Sequence, residues 1–345
     1  MSESVATSPQ PSVAKERIVW IDTAKGVCIS LVVLSHVAIY LSRDYGLASL
    51  FRTFRMPLYY ILSGLFFKPY DGWRTFFKKK TNNLIVPYLF FFLMTSVLLP
   101  VVLSATTNFK SYGLEAVKYI FSEYPVFNTS IWFLVSLFEV NCYFYLLYLL
   151  TKKTSKPVLW LALTTLIGGV IGMHVNWPCY LDTSLSMLPF FFFGWWLNHH
   201  SDYMQISFSG WKRTVSVLAF SVAVLVLIYF FNGGNAEFRL NRYGNWLGKL
   251  QLYPYGILGT LAVLSLSKLV GQVPLLSYVG RYSIIVLCTH SLVILLIGSI
   301  WKQFQPVEAT PFWLFFLLTI LVNWAIIPLF VRFFPHVTAQ KPLIK

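Results

Sequence analysis

Residues 24–37 read AKGVCISLVVLSHV, an apolar run with Lys25 at one end and His36 near the other. Extended to 21–41, the run reaches the roughly 20 residues that a helix needs to cross a bilayer. The whole chain agrees with that reading. Over 345 residues it is 57% hydrophobic and 11% charged, against roughly 25% charged in soluble domains. The protein is therefore an integral membrane protein, and its 18% aromatic content fits helices with wet, amphipathic ends.

Ten apolar runs are present, near 21–41, 53–67, 83–103, 131–150, 157–175, 185–198, 213–231, 252–270, 282–300 and 311–331, of which the second and sixth are short. Backbone polar groups in lipid must be satisfied within their own segment, so the expected fold is all-α, a polytopic helical bundle. With the N-terminus inside, ten spans put two-thirds of the 27 Lys and Arg residues on the cytoplasmic side and both termini there. Residues 1–17 are polar and expected to form a disordered cytoplasmic tail. Residues 18–334 form a single membrane domain, and 335–345 a second cytoplasmic tail. The net charge of +15 would suggest nucleic acid in a soluble protein. Here it lies in short loops beside apolar runs, so topology and anionic membrane lipid explain it and nucleic-acid binding is set aside. The four cysteines are scattered without a CxxC, which indicates neither a disulfide framework nor a metal site.

Ionisable groups inside the membrane are the places to look for function, because each is costly without a partner. Lys25 and His36 are 11 residues apart, close to three helical turns, so they share a face about 16 Å apart along the axis. Asp22 lies one turn before Lys25. An Asp22–Lys25 ion pair with a snorkelling lysine explains the edge residues as well as a binding role does. His36 reads either as a hydrogen-bonded packing residue or as a buried base. In the second span Arg52 and Arg55 sit at the external end, Pro57 suits a first helical turn, and Ser63 and Gly64 permit close packing. Glu139 falls near mid-depth of SIWFLVSLFEVNCYF, residues 130–144, as half of a structural pair or as a catalytic group. In SYVGRYSIIVLCTH, residues 277–290, Arg281 stands at the cytoplasmic edge. His290 lies about 13 Å deeper, at a depth similar to His36. His174, His199, His200 and His336 read as surface residues. The loops near 104–130 and 232–251 are polar enough to touch an external ligand.

Together these segments resemble the acyltransferase-3 family of membrane O-acyltransferases. The stretch RIVWIDTAKGVCISLVVLSHV, residues 17–37, is most similar to the fucose 4-O-acetylase branch. The first helix carries a basic residue, ten residues, then a histidine. FRMPLYYILSG (54–64), WFLVSLF (132–138), LPFFFFG (188–194) and the 277–290 stretch follow in order. Arg55-Met-Pro57 departs from the His-Met-Pro of related sequences. The resemblance implies acetyl transfer from cytoplasmic acetyl-CoA to a hydroxyl of a glycan or glycolipid across the plasma (bacterial inner) membrane. His36 would be the base, with Asp22, Glu139 and His290 as further catalytic groups. Lys25 and Arg281 would hold the acetyl-CoA phosphates, and Arg55, Ser63 and Trp132 the acceptor. A multipass transporter or exporter of polysaccharide, suited by Glu139 and the two histidines, is the alternative. A non-catalytic assembly subunit is a third reading.

Overall fold

The computed structural model describes residues 18–43, 48–99, 128–200, 210–232, 237–304, 306 and 309–344. The tail 1–17 and most of the loop 104–130 lie outside the described residues. The described chain is helical, with one isolated β-bridge between Glu237 and Arg242. A helix stands at each of the ten apolar runs: α1 (Val19–Tyr40), α2 (Ala48–Leu65), α3 (Gly72–Leu98), α4 (Thr129–Thr151), α5 (Pro157–Gly172), α6 (Leu181–His199), α7 (Trp211–Asn232), α8 (Trp246–Val270), α10 (Ser283–Trp301) and α11 (Phe312–Phe333). A short α9 (Pro274–Arg281) precedes α10. Seven of these helices are long and apolar enough to cross a membrane: α1, α3, α4, α7, α8, α10 and α11. With α2, α5 and α6 packed among them, the protein is a polytopic helical membrane bundle.

Three boundaries differ from expectation for clear reasons. Helix α2 begins at Ala48, so Pro57 sits inside it and not in its first turn. Intramembrane helices tolerate such prolines because neighbouring groups satisfy the freed backbone. Helix α3 begins at Gly72, eleven residues early, because a basic amphipathic turn ending in Lys78–Lys80 continues into the apolar run. Two widened π-type turns, Thr81–Ile85 and Leu93–Leu98, interrupt it. Helix α6 runs longer than its apolar core, from Leu181 to His199.

Two glycine-mediated approaches set the arrangement around α1 and α2. A Cβ on Gly26 would run into the Leu276 carbonyl of α9, and one on Gly280 into the Asp22 carbonyl of α1. Gly64 of α2 and Gly194 of α6 meet the carbonyls of Phe191 and Ile61 in the same reciprocal way. Between bilayer helices, tight backbone contact replaces the hydrophobic drive available in water. The aromatic residues are not confined to wet helix ends. The largest fully buried side chains are all Tyr and Phe, among them Tyr60, Tyr145, Phe144 and Phe191. Phe76 of α3 stacks on Tyr145 of α4 with ring centroids 4.5 Å apart.

Candidate active site

Helices α1, α2 and α4 line two separate cavities. One, of ≈ 550 Å³, is bordered by Val32, His36, Arg55, Met56, Trp132 and Arg239, with Arg52, Thr129 and Glu237 also on its wall. The other, of ≈ 420 Å³, holds Lys25, Lys80 and Arg281 above an apolar lining of Tyr59, Phe133, Leu137 and Leu287. Met56 faces the first and Tyr59 the second, one helical turn apart on α2. Trp132 and Phe133 divide in the same way on α4. The two cavities therefore come closest to each other at α2 and α4, where neighbouring residues line one or the other.

The partition matches the alternation read from the sequence. Lys25, Lys80, Arg281 and Gln340 come from four segments assigned to one side, and all border the Lys25 cleft. Arg52, Thr129 and Arg239, from segments assigned to the other side, border the His36 cavity.

His36 and His290 come together. Their ring centroids are 4.9 Å apart at an interplanar angle of 68°. Each Nδ1 meets a carbonyl one turn back on its own helix, Val32 at 2.9 Å for His36 and Val286 at 2.8 Å for His290. A carbonyl only accepts, so Nδ1 carries the proton and each Nε2 keeps its lone pair. Both Nε2 atoms converge on the Ser130 hydroxyl, at 3.1 Å from His290 and 3.4 Å from His36. Ser291 Oγ is 3.0 Å from the same oxygen. A hydroxyl has one proton to give. Ser130 can therefore donate to one of these acceptors at a time, and it links the two imidazoles and Ser291 in one network beside the cavity. His290 is fully buried behind it, whereas His36 is half-buried. The short helical turn bearing Ser130 is held by Asn128, whose Nδ2 donates to the Cys288 carbonyl at 2.6 Å.

The other expected site residues divide. Arg55 and Trp132 border the His36 cavity, and the Arg55 guanidinium donates to the Ser35 hydroxyl one residue before His36. Lys25 and Arg281 border the cationic cleft, with the Lys25 ammonium 4.5 Å from the Phe66 ring centroid. Ser63 lies on that cleft too, away from the histidines where an acceptor role would place it. Asp22 is buried at the α1–α9 contact and lines neither cavity. Glu139 also lines neither. Its Oε2 accepts from Ser184 at 2.7 Å, and the chain continues through Ser136 to the Tyr60 hydroxyl at 2.8 and 2.7 Å. The two histidines are thus joined without Asp22 or Glu139. Ser130, Ser291 and Lys80 carried no role in the sequence reading. His174, His199, His200 and His336 are exposed, as expected.

A half-buried histidine whose tautomer is fixed by its own helix, on the wall of one cavity with a cationic cleft on the same three helices, suits transfer of a group between two ligands that enter separately. Comparison with known proteins agrees. The family model described as an acyltransferase domain matches residues 18–331. No curated protein and no solved structure matches the chain. The chain belongs to the acyltransferase-3 family and is a multi-pass membrane acyltransferase.

Proposed function

We propose that the protein is an O-acetyltransferase, moving an acetyl group from acetyl-CoA in the Lys25 cleft to a hydroxyl of a glycan or glycolipid in the His36 cavity. The single observation that carries this reading is the pair of cavities on α1, α2 and α4, cationic at one end and histidine-bearing at the other. In this reading the Lys25 end faces the cytoplasm across the plasma (bacterial inner) membrane, where acetyl-CoA is made. The acceptor enters from outside, in the manner of the sugar O-acetyltransferases of the fucose 4-O-acetylase branch.

The residues of the cleft fit such a donor. Lys25, Lys80 and Arg281 supply three cations for phosphates, and the first residues of α10, Ser283 and Ile284, place a helix N-terminus on the same wall. Tyr59, Phe133 and Leu287 offer an apolar path for the pantetheine arm toward Met56 and Trp132, which line the His36 cavity. Phosphate-binding explains the convergence of these cations better than snorkelling, because they come from α1, α3 and the α9–α10 junction rather than from one helix edge.

His36 Nε2 takes the proton from the acceptor hydroxyl as its oxygen attacks the thioester carbon. The C–S bond breaks, an ester C–O bond forms, and the imidazolium returns the proton to the departing thiolate. Products are the acetyl ester and free CoA thiol, with no change in net charge. The Val32 carbonyl, Ser130 and the His290 ring hold the His36 ring in place, and the Arg55 guanidinium on the same wall would stabilise negative charge on the carbonyl oxygen. No serine or cysteine nucleophile is required.

The test is release of CoA thiol by the purified protein in lipid vesicles given acetyl-CoA and an envelope-glycan extract, with mass spectrometry of the glycans. The reading expects thiol release coupled to an acetyl increment on a glycan. Thiol release with no modified glycan, or transfer only from a different acyl-CoA, would overturn the corresponding half.

A further inference from the structure

The segment that follows α11 folds back onto the bundle. The Pro335 carbonyl accepts from the backbone amides of Gln340 and Lys341 at 2.9 and 3.0 Å, which closes a compact loop. Thr338 is fully buried inside it and donates to the Phe334 carbonyl at 2.9 Å. Ala339 at the loop's tip has φ 59°, in the left-handed region that residues with a Cβ rarely adopt. A chain serving only as an exposed tail has no reason to hold that conformation.

Asn82 grips the segment further on. Its Oδ1 accepts from the backbone amides of Leu343 and Ile344 at 2.7 and 2.8 Å. Its Nδ2 donates to the Ile344 carbonyl at 3.0 Å and to the Lys78 carbonyl at 2.8 Å. Two donor hydrogens and two acceptor positions are thus all used, and the side chain is only 4% exposed. The amide pairs with residue 344 through both its N–H and its C=O, as a neighbouring strand would. Asn82 stands in the widened turn Thr81–Ile85, and Lys80, two residues before it, and Asn83, next to it, line the Lys25 cleft. Ala339 and Gln340 line that cleft as well.

We propose that Pro335–Ile344 is a wall of the donor site, pinned by Asn82, and that it sets affinity for the nucleotide end of a phosphate-bearing thioester donor. The proposal rests on the reading of the Lys25 cleft as the donor site. Asn82 touches no reacting atom in this account; it is a positioning residue acting through the segment it holds. A segment that merely covers hydrophobic surface would leave donor affinity unchanged when released.

The experiment measures equilibrium binding of free CoA to the full-length protein in lipid nanodiscs, with hydrogen exchange followed over 336–344. Wild type, Asn82→Ala and Leu343→Pro are compared. Leu343 is exposed, so the proline removes one amide donor to Asn82 without disturbing the core, and it keeps the test available if Asn82→Ala fails to fold. Expected are CoA binding by wild type with slowed exchange over the segment, and binding weakened about tenfold in both variants with that protection lost. The acetyl-transfer rate at saturating donor stays within about twofold of wild type. Wild-type affinity for CoA in variants whose segment exchanges freely would overturn the proposal. Absence of CoA binding by wild type has a different signature; it would overturn the donor-site reading and this proposal with it.

Discussion

The imidazoles of His36 and His290 sit 4.9 Å apart, edge to face, and the Ser130 hydroxyl lies within reach of both Nε2 atoms. One hydroxyl proton cannot serve two acceptors. Ser130 therefore donates to one ring at a time and ties both imidazoles into one network.

Removing the Ser130 hydroxyl therefore acts through the ring it orients. Ser130→Ala should lower the transfer rate about 2- to 10-fold, the worth of one ordinary hydrogen bond, without changing the donor KM. His290→Gln should lower it similarly, and the double variant should lose less than the product of the two, because both act on one network. Steady-state kinetics of the three variants measure this. A fully multiplicative loss would show that His290 and Ser130 work independently.

Lys25→Ala, Lys80→Ala and Arg281→Ala should each raise the donor KM by about tenfold or more, as expected for losing a charge-assisted partner of phosphate. The rate at saturating donor should hold. Raising ionic strength should weaken wild-type donor binding more than that of the variants. A change confined to the acceptor KM would place the donor elsewhere.

Glu139→Gln keeps an oxygen that accepts from Ser184. Transfer should stay within about threefold of wild type, whereas Glu139→Leu should lower the midpoint of thermal unfolding by stranding buried hydroxyls. A hundredfold loss of rate in a stable Glu139→Gln protein would return Glu139 to the chemistry.

Gly194→Leu should destabilise the bundle by about 3 kcal/mol or more, because the side chain meets the Ile61 backbone and no flexible group can yield. Gly72→Ala provides the contrast. Its Cβ would meet nothing, and only the φ of 79° is strained. Thermal unfolding in one detergent should rank Gly194→Leu well below Gly72→Ala.

Much of the architecture was legible because depth in a bilayer is written linearly along the chain. Apolar length located all ten helices, and counting turns put His36 and His290 at one level before their rings were seen to meet. Azimuth was not legible. Helix α4 is apolar nearly all round, so nothing in its sequence shows that Glu139 faces Ser184 and not the cavities. Ser130 was invisible as a partner because its contact with His290 joins residues 160 apart through packing alone. Ser63 was placed with the acceptor although it lies on the Lys25 cleft, two turns of α2 away from Arg55. Lys80 was read as a loop cation because the amphipathic start of α3 carries no apolar signal.

The most direct measurement is acetyl transfer by purified His36→Gln protein in lipid vesicles, with donor affinity measured on the same sample. The account predicts a rate at least about a hundredfold below wild type, the usual worth of a general base, with CoA binding and thermal unfolding unchanged. Transfer at the wild-type rate by that variant would contradict it.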